Sequence, residues 1–132
     1  MKKLSFPTSH KTQMMDITKE VEELVITSGV KNGICVVFTP HTTTSVFLFE
    51  NQDPALRIDL LNALNRVAPT DEAYFHKGEN AAAHLKSSRM GNSVTIPLEN
   101  AKLVLGKWQG IFFAEFDGPR QEREVFIKII AS

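Results

Sequence analysis

Hydrophobic residues in this chain cluster in short runs, several of which are apolar on both faces and rich in β-branched or aromatic side chains. The runs Ile34 to Phe38 and Val46 to Phe49 predict buried β-strands. The opening residues, Lys2 to Met15, have room for two short strands. Four more strands are predicted farther along, at Val94 to Leu98, Leu103 to Leu105, Ile111 to Phe116 and Val125 to Ile130.

Three helices are predicted from apolar residues that recur with helical period and from the residues that flank them. Asp16 or Thr18 can cap a first helix that ends at Gly29. Asp53-Pro54 predicts the start of a second helix that ends near Ala68. The second helix has the apolar stripe Leu56, Leu60, Leu61, Leu64 and Val67, and a short third helix spans Ala82 to Arg89 before Gly91.

The order of these elements predicts the fold class. Strands outnumber helices and follow one another at the C-terminal end, which favours an antiparallel sheet over repeated βαβ units. A chain of 132 residues is long enough to bury one core without disulfides or metal. We therefore expect a single α+β domain over residues 1–132, with a mostly antiparallel, sandwich-like β-sheet and packed helices.

Charge and composition limit the partners that the protein can have. The 15 basic residues cancel the 15 acidic ones, so no overall field attracts nucleic acid or anionic lipid. No apolar run approaches the roughly 20 residues that span a bilayer. The single cysteine, Cys35, lies inside an apolar strand, where a buried and unreactive thiol is expected. We expect a cytoplasmic protein that binds neither nucleic acid nor membrane.

Three histidines are candidates for binding chemistry. His76 lies within a polar loop from Thr70 to Ala81, His84 follows that loop, and His41 lies in a threonine-rich turn between two predicted strands. Imidazole is the commonest protein ligand for zinc-like ions, and three protein ligands with one open position form a catalytic centre. Their spacing matches no known metal motif, so a metal site and ordinary hydrogen bonding both remain open.

Three carboxylates have two interpretations each. Glu50 ends a buried strand and points either into a cleft or into solvent. Asp59 lies on the second helix, where a surface position is the simpler interpretation. Glu115 interrupts an apolar strand, and a buried carboxylate needs a partner or a proton. Arg120 or Arg123 can supply that partner, either in a structural ion pair or with an arginine held to face a phosphate.

The segment from Leu105 to Gly110 adds an aromatic and an amide side chain. Trp108 offers a surface on which a ligand ring can stack, and Gln109 can hydrogen-bond that ligand. A lone tryptophan is otherwise most often a core or interface anchor. The turn at Arg120 and the loop residue Asn80 offer donors to an oxyanion, so we expect phosphate or sulfate to bind near them.

In order and spacing, these pieces resemble the YjbQ-like family, also described as secondary thiamine-phosphate synthases. The resemblance runs over nearly the whole chain, from Asp16-Ile17-Thr18 to the last strand. The matching pieces are His41-Thr42-Thr43, Glu50 with Asp53-Pro54, Asp59, His76, Asn80, His84-Leu85, Leu105-Gly106, Trp108-Gln109, and Glu115 with Asp117-Gly118-Pro119-Arg120.

The resemblance implies a homotrimer with a polar pocket near the subunit boundary, where His41, His76 and His84 hold a divalent ion, zinc or magnesium. It also implies an activity, in which a pyrimidine pyrophosphate and a thiazole phosphate are joined and pyrophosphate is released. In such an enzyme the metal and Arg120 neutralise the leaving group. The other roles are substrate binding by Thr42, Thr43, Asn80, Trp108 and Gln109, and orientation or proton transfer by Glu50, Asp59 or Glu115.

Two other kinds of function remain open from the sequence. The first is a non-catalytic module that binds a metal or a phosphorylated metabolite. The second is an oligomeric structural protein whose histidines join subunits. Histidines, acids and an arginine that converge favour a binding site over a structural contact, but no motif identifies a nucleophile or a reaction.

Overall fold

The chain forms eight strands and three helices, and the computed structural model describes all residues from 1 to 132. In chain order they are β1 (Lys2–Thr8), β2 (Gln13–Asp16), α1 (Thr18–Ser28), β3 (Gly33–Phe38), β4 (Thr44–Glu50), α2 (Pro54–Val67), α3 (Ala81–Met90), β5 (Ser93–Glu99), β6 (Lys102–Leu103), β7 (Gln109–Glu115) and β8 (Arg120–Ala131). None of the helices is long and apolar enough to cross a membrane.

The strands form two sheets that face each other. One has five strands in the order β1-β8-β3-β5-β6, and the other has three in the order β2-β7-β4. Every strand pair is antiparallel. The α+β fold with a mostly antiparallel, sandwich-like sheet is therefore confirmed, and so is each predicted strand, with bounds that differ by a few residues.

The core has two parts because side chains alternate across each strand. On β7, Ile111 and Phe113 point between the sheets, where twelve buried residues from both sheets and α1 form the main core cluster. Phe112 and Ala114 point to the other side and pack with Leu64 of α2 and with α3. The small sheet is thus covered on both faces, which explains why β4 and β7 are apolar at almost every position.

Helix ends follow the predicted residues, with one difference in packing. Asp16 accepts hydrogen bonds from Thr18, α1 ends at Gly29 with a φ of 72°, and Asp53 caps α2 through the Ala55 amide. The predicted stripe of α2 is only partly correct, because Leu64 alone is buried. The helix lies on the outside of a three-stranded sheet, which covers one narrow face of it.

The two sheets are joined by a buried ion pair. Glu115 ends β7, and Arg123 on β8 donates to both of its carboxylate oxygens, at 2.8 Å from Nε and 2.6 Å from Nη2. Thr8, at the end of β1, donates its hydroxyl to the same carboxylate at 2.7 Å. The guanidinium also donates to the hydroxyl of Thr43, just before β4, at 2.8 Å. Four segments therefore meet at one charge pair.

Burial by itself raises the pKa of Glu115, but hydrogen bonds from Arg123 and Thr8 and the guanidinium charge reverse this and hold the pKa below its usual value. The carboxyl group thus binds a proton less readily in the folded than in the unfolded protein. Its contribution to stability is present above the unfolded pKa of about 4.5 and is lost as the pH falls through the lower, folded value.

We expect Arg123→Ala to lower the free energy of unfolding by about 3–5 kcal/mol at neutral pH, because it leaves an unpaired buried carboxylate. Arg123→Lys, which keeps the charge but not the planar fork, should lose less. Urea denaturation measures both. Glu122→Gln, at an exposed position of β8, is the control and should change stability by less than about 0.5 kcal/mol. A loss below about 1 kcal/mol in Arg123→Ala would contradict a central role for the pair.

Candidate functional site

The residues predicted to form one site fall into two groups at opposite ends of the small sheet. Thr44 pairs with Glu115 at one end of β4 and β7, and Glu50 pairs with Gln109 at the other. These pairs are six residues apart, which corresponds to roughly 20 Å along a strand. His41, Thr42, Thr43 and Arg120 lie at the first end, whereas Glu50, Trp108 and Gln109 lie at the second.

At the first end, Asp117 collects three donors from distant parts of the chain. Lys11 Nζ lies 2.5 Å from Asp117 Oδ1, and Asn80 Nδ2 and Arg120 Nη2 each lie 3.0 Å from Oδ2. We call these four residues the Asp117 cluster. Arg120 and Asn80 are the two residues at which the sequence predicts oxyanion binding. In the structure both donate to the same carboxylate oxygen, Asp117 Oδ2.

A third cation lies beside this cluster. Lys86 on α3 is 4% exposed, and its ammonium donates to Asn65 Oδ1 at 2.5 Å. No carboxylate pairs with it. Burial lowers the pKa of Lys86, and the charge of Lys11 lowers it further. The neighbourhood of Asp117 thus holds three cations against one anion and attracts negative charge.

Charge also affects Asp117 itself. Its partial burial raises the pKa, but hydrogen bonds from Lys11 and Asn80, the Lys11 charge and the Arg120 contact outweigh this, and the pKa lies below its usual value. The carboxylate therefore stays ionised and keeps the lysine and the arginine in place. Arg120 is held at its backbone too, because its amide donates to Thr8 Oγ1 at 3.0 Å.

The three candidate histidines lie along two adjoining cavities. His41 and His84 line a cavity of about 400 Å³ with Thr42 and Ser88. His84 also lines a second cavity of about 400 Å³, beside His76. The His76 and His84 rings are 5.4 Å apart between centroids, and His76 Nε2 lies 3.0 Å from Asn80 Oδ1. Asn80 therefore connects the histidines to the Asp117 cluster.

Within one chain, the three histidines expected to form a metal centre do not converge on one ion. No three His, Cys, Asp or Glu side chains are placed so that they can hold one ion. His41 Nε2 accepts the backbone N–H of Glu124 at 2.9 Å, so that lone pair is already used. His76 and His84 are adjacent, whereas His41 lies in the turn after β3.

Two of the three candidate carboxylates are engaged by other groups of the chain, and the third is exposed. Glu115 is fully buried in the ion pair with Arg123, so Arg120 is not its partner. Glu50 accepts the backbone N–H groups of Gln52 and Asp53 and so organises the start of α2. Asp59 is exposed on α2 and makes no hydrogen bond or ion pair in the chain. The single chain therefore presents none of the three as an evident general base.

At the second end, a cavity of about 370 Å³ is lined by Trp108, Gln109 and Glu50 with Leu48 and Phe49. Trp108 is 56% exposed, and Lys107 Nζ lies 5.3 Å from the centroid of its ring. The Gln109 side chain accepts the Gly106 N–H and so holds its own turn. An exposed indole can stack on a ring, but within one chain it lies far from the histidines.

Sequence reasoning missed Lys11, Lys86 and the central position of Asp117. The burial of Lys86 could have been recognised in the sequence, because Lys86 follows Ala82 by four residues on a helix and therefore lies on the same buried face. The position of Lys11 could not be recognised from the sequence, since it lies in an irregular turn between β1 and β2. Thr43 was identified, but it holds Arg123 rather than facing a ligand.

Comparison with known proteins gives a consistent result. The family model described as UPF0047 protein YjbQ-like matches residues 2–132. The UPF0047 protein YugU of Bacillus subtilis is 41% identical over 131 residues, which is 98% of each chain. A UPF0047 protein of Methanocaldococcus jannaschii is 43% identical over 128 residues, 97% of this chain and 92% of the relative. These names state no activity.

Solved structures agree with the fold. A conserved YjbQ/UPF0047 protein of Clostridium acetobutylicum is 48% identical, with a TM-score of 0.95 over 98% of this chain and all of the other. A protein of unknown function from Sulfolobus solfataricus is 33% identical, with a TM-score of 0.95 over 99% of this chain and 96% of the other. The topology is therefore shared by proteins of bacteria and archaea.

Gly118 allows Asp117 and Arg120 to lie where they do. A Cβ at this position would come within 2.1 Å of the His10 carbonyl oxygen, which belongs to the turn that carries Lys11. We expect Gly118→Ala to separate these two turns and to cost about 1–3 kcal/mol of stability. Thermal unfolding and the amide spectrum of residues near Asp117 measure this effect.

The matched control is Gly106→Ala, whose added Cβ would have the Gln109 side chain as its nearest neighbour, at 3.3 Å. That side chain can move, so this variant should stay close to the unmodified protein. If both variants unfolded at the same temperature as the unmodified protein, the close approach of the two turns would not be needed.

Proposed function

The chain belongs to the YjbQ-like UPF0047 family, and from this membership we propose that it binds a phosphorylated small molecule where the two histidine cavities adjoin the Asp117 cluster. This region is called the cleft below. The activity proposed for this cleft is a transfer of the secondary thiamine-phosphate synthase type. A pyrimidine pyrophosphate and a thiazole phosphate would be joined, and pyrophosphate would leave.

One observation carries the proposal. Arg120, Lys11 and Asn80 converge on a single carboxylate, Asp117, although they come from three separate segments. Such a set of charged and amide donors also suits a phosphate group, and Arg120 and Lys11 are about half exposed and can turn toward it. Lys86 adds a positive charge behind them that solvent does not screen.

The proposed reaction requires little covalent chemistry from the protein itself. The thiazole nitrogen forms a bond to the pyrimidine methylene carbon, and the bond from that carbon to the pyrophosphate oxygen breaks. Negative charge collects on the leaving group, and cations already in position stabilise it without reorganising. This agrees with a cleft that has cations but no evident base.

The proposal includes a divalent ion, but with two histidine ligands in place of three. His76 and His84, with Asn80 Oδ1 beside them, are the donors that would hold it. Zinc suits imidazole best, whereas magnesium prefers oxygen donors. Such an ion would supply positive charge next to the phosphate, and Arg120 and the lysines act independently of it.

A second candidate function is non-catalytic binding of a phosphorylated metabolite. The engagement of the candidate carboxylates favours it, because Glu115 is buried in an ion pair and Glu50 holds backbone amides. In that case the cleft binds an anion without converting it into a product. Product formation separates this candidate from the transferase, while both predict the same binding.

A cytoplasmic location completes the proposal. Cys35 is the only cysteine, it is buried, and burial raises the pKa of its thiol to about 11. A thiol of this kind neither forms a disulfide within the chain nor reacts readily. Phosphorylated metabolites are also the expected ligands in that compartment.

The proposed assembly is a homotrimer, and the outer face of the five-stranded sheet supports it. Inner residues of β3 and β8 fill the core, so the alternate residues face outward, and α2 and α3 pack on the other sheet. Ile34 and Ile130 are cross-strand neighbours on this face and are 37% and 44% exposed. A second copy placed here would lie next to Phe38 and the His41 cavity.

We expect Arg120→Ala to weaken binding of inorganic phosphate about tenfold or more, because it removes a charge-assisted contact. Isothermal titration measures this. Product formation from the pyrimidine pyrophosphate and the thiazole phosphate, followed by chromatography, should fall with it. Arg66→Ala, at an exposed position of α2, is the matched control. Unchanged phosphate affinity in Arg120→Ala would refute the assignment, and binding without product would favour the second candidate.

We expect the protein in dilute solution to have about three times the chain mass of 14.8 kDa by light scattering. Two lysines on the outer face, Ile34→Lys with Ile130→Lys, should shift it to the mass of one chain by adding charge to an apolar contact. Ile26→Lys is the control, since Ile26 is 70% exposed on α1, away from this face. A monomeric unmodified protein would refute the trimer.

A further inference from the structure

The way in which β3 ends sets the chemistry of His41. Phe38, the last residue of β3, pairs with Phe126 on β8. Glu124 lies two residues before Phe126 on β8, so its amide points toward the same neighbouring strand. That strand ends at Phe38, and His41 Nε2 accepts the Glu124 N–H at 2.9 Å. The imidazole thus replaces a missing carbonyl of the β-ladder.

This contact decides which ring nitrogen carries the proton. A backbone amide can only donate, so Nε2 must be the nitrogen that has the lone pair. In a neutral ring the other nitrogen, Nδ1, then carries the hydrogen and becomes the donor. A nitrogen that carries hydrogen cannot ligate a metal, and the remaining lone pair is used by Glu124. Both routes by which His41 could bind an ion are therefore closed.

The surroundings keep the ring neutral and fixed. Burial lowers the pKa of His41, and the charge of the nearby Arg123 guanidinium lowers it further. Together these effects outweigh Glu124 and Glu115, which raise the pKa. Two residues along the turn, Thr43 is held by Arg123. His41 lines the cavity together with His84, Thr42 and Ser88, and its Nδ1 has no acceptor within the chain.

We propose that His41 is a neutral hydrogen-bond donor, held as the Nδ1–H tautomer by the Glu124 amide, and that it donates to a phosphoryl oxygen of the bound ligand. The choice of a phosphoryl oxygen rests on the proposed function, whereas the tautomer does not. The hydroxyl groups of Thr42 and Ser88 line the same cavity and offer further neutral donors. His41 therefore selects an oxygen acceptor and takes no part in metal binding.

Imidazole nitrogen resonances test the tautomer in the unmodified protein without ligand, at about pH 8, above the ordinary histidine pKa. We expect Nδ1 of His41 to show the protonated signature and Nε2 the unprotonated one. His10, which is exposed, is the internal reference. Addition of zinc chloride should change the signals of His76 or His84 and leave those of His41 in place. A protonated Nε2, or a zinc-bound His41, would overturn the proposal.

Two variants that each keep one half of the ring's chemistry test the donor role. His41→Asn places an amide N–H near the position of Nδ1 but loses the acceptor for Glu124. His41→Gln places an oxygen near the position of Nε2 and loses the donor. We expect His41→Gln to bind inorganic phosphate about tenfold more weakly and His41→Asn to stay within about threefold of the unmodified protein.

The results distinguish this proposal from the proposed function. If Arg120→Ala loses phosphate affinity but His41→Gln does not, His41 is not a donor, and phosphate still binds in the cleft. If the unmodified protein does not bind phosphate, the proposed function and the phosphoryl donor role both fail. The nitrogen spectrum still decides the tautomer in that case. Equal losses in both His41 variants would indicate a structural role and overturn the donor role.

Discussion

The buried pair of Glu115 and Arg123 constrains this fold more than any other contact, because a charge removed from water must keep its partner. The carboxylate ends a strand of the small sheet, and the guanidinium lies on the large one. Thr8 and Thr43 add further hydrogen bonds to the pair. The distance between the two sheets at this end of the molecule, and their relative position, are therefore set by the geometry of this ion pair and its hydrogen bonds as well as by apolar packing.

The candidate cleft depends on the same constraint. Two residues beyond Glu115 the chain reaches Asp117, whose amide donates to the Glu115 carboxylate at 3.1 Å. The hydroxyl of Thr8 contacts Glu115 and also accepts the Arg120 amide. The buried pair thus holds the backbone on which the Asp117 cluster is built. A site with mobile lysine and arginine side chains needs such a rigid base, since positioning is most of the catalysis proposed for it.

The separation of the candidate residues is also informative. Trp108 and Gln109 lie at the far end of β7 from Arg120, and no motion within a folded sheet brings them together. The His41 cavity, in contrast, borders an uncovered apolar sheet face through Phe38. In the proposed trimer, residues from both ends of the small sheet would have to come from different copies of the chain to contribute to one pocket.

Local patterns in the sequence determined the elements of this protein. Gly29 and Asp53-Pro54 mark helix ends because backbone geometry requires such residues, and the apolar runs of β3 and β7 are strands for the same local reason. The candidate histidines, Asn80 and Arg120 were identifiable as residue types. Only the tertiary structure decided their partners: Arg123 pairs with Glu115, Arg120 with Asp117, and the Glu124 amide with His41. These contacts join residues distant in the chain or select one arginine of two, and neither period nor spacing encodes which atoms the packed sheets bring within hydrogen-bonding distance.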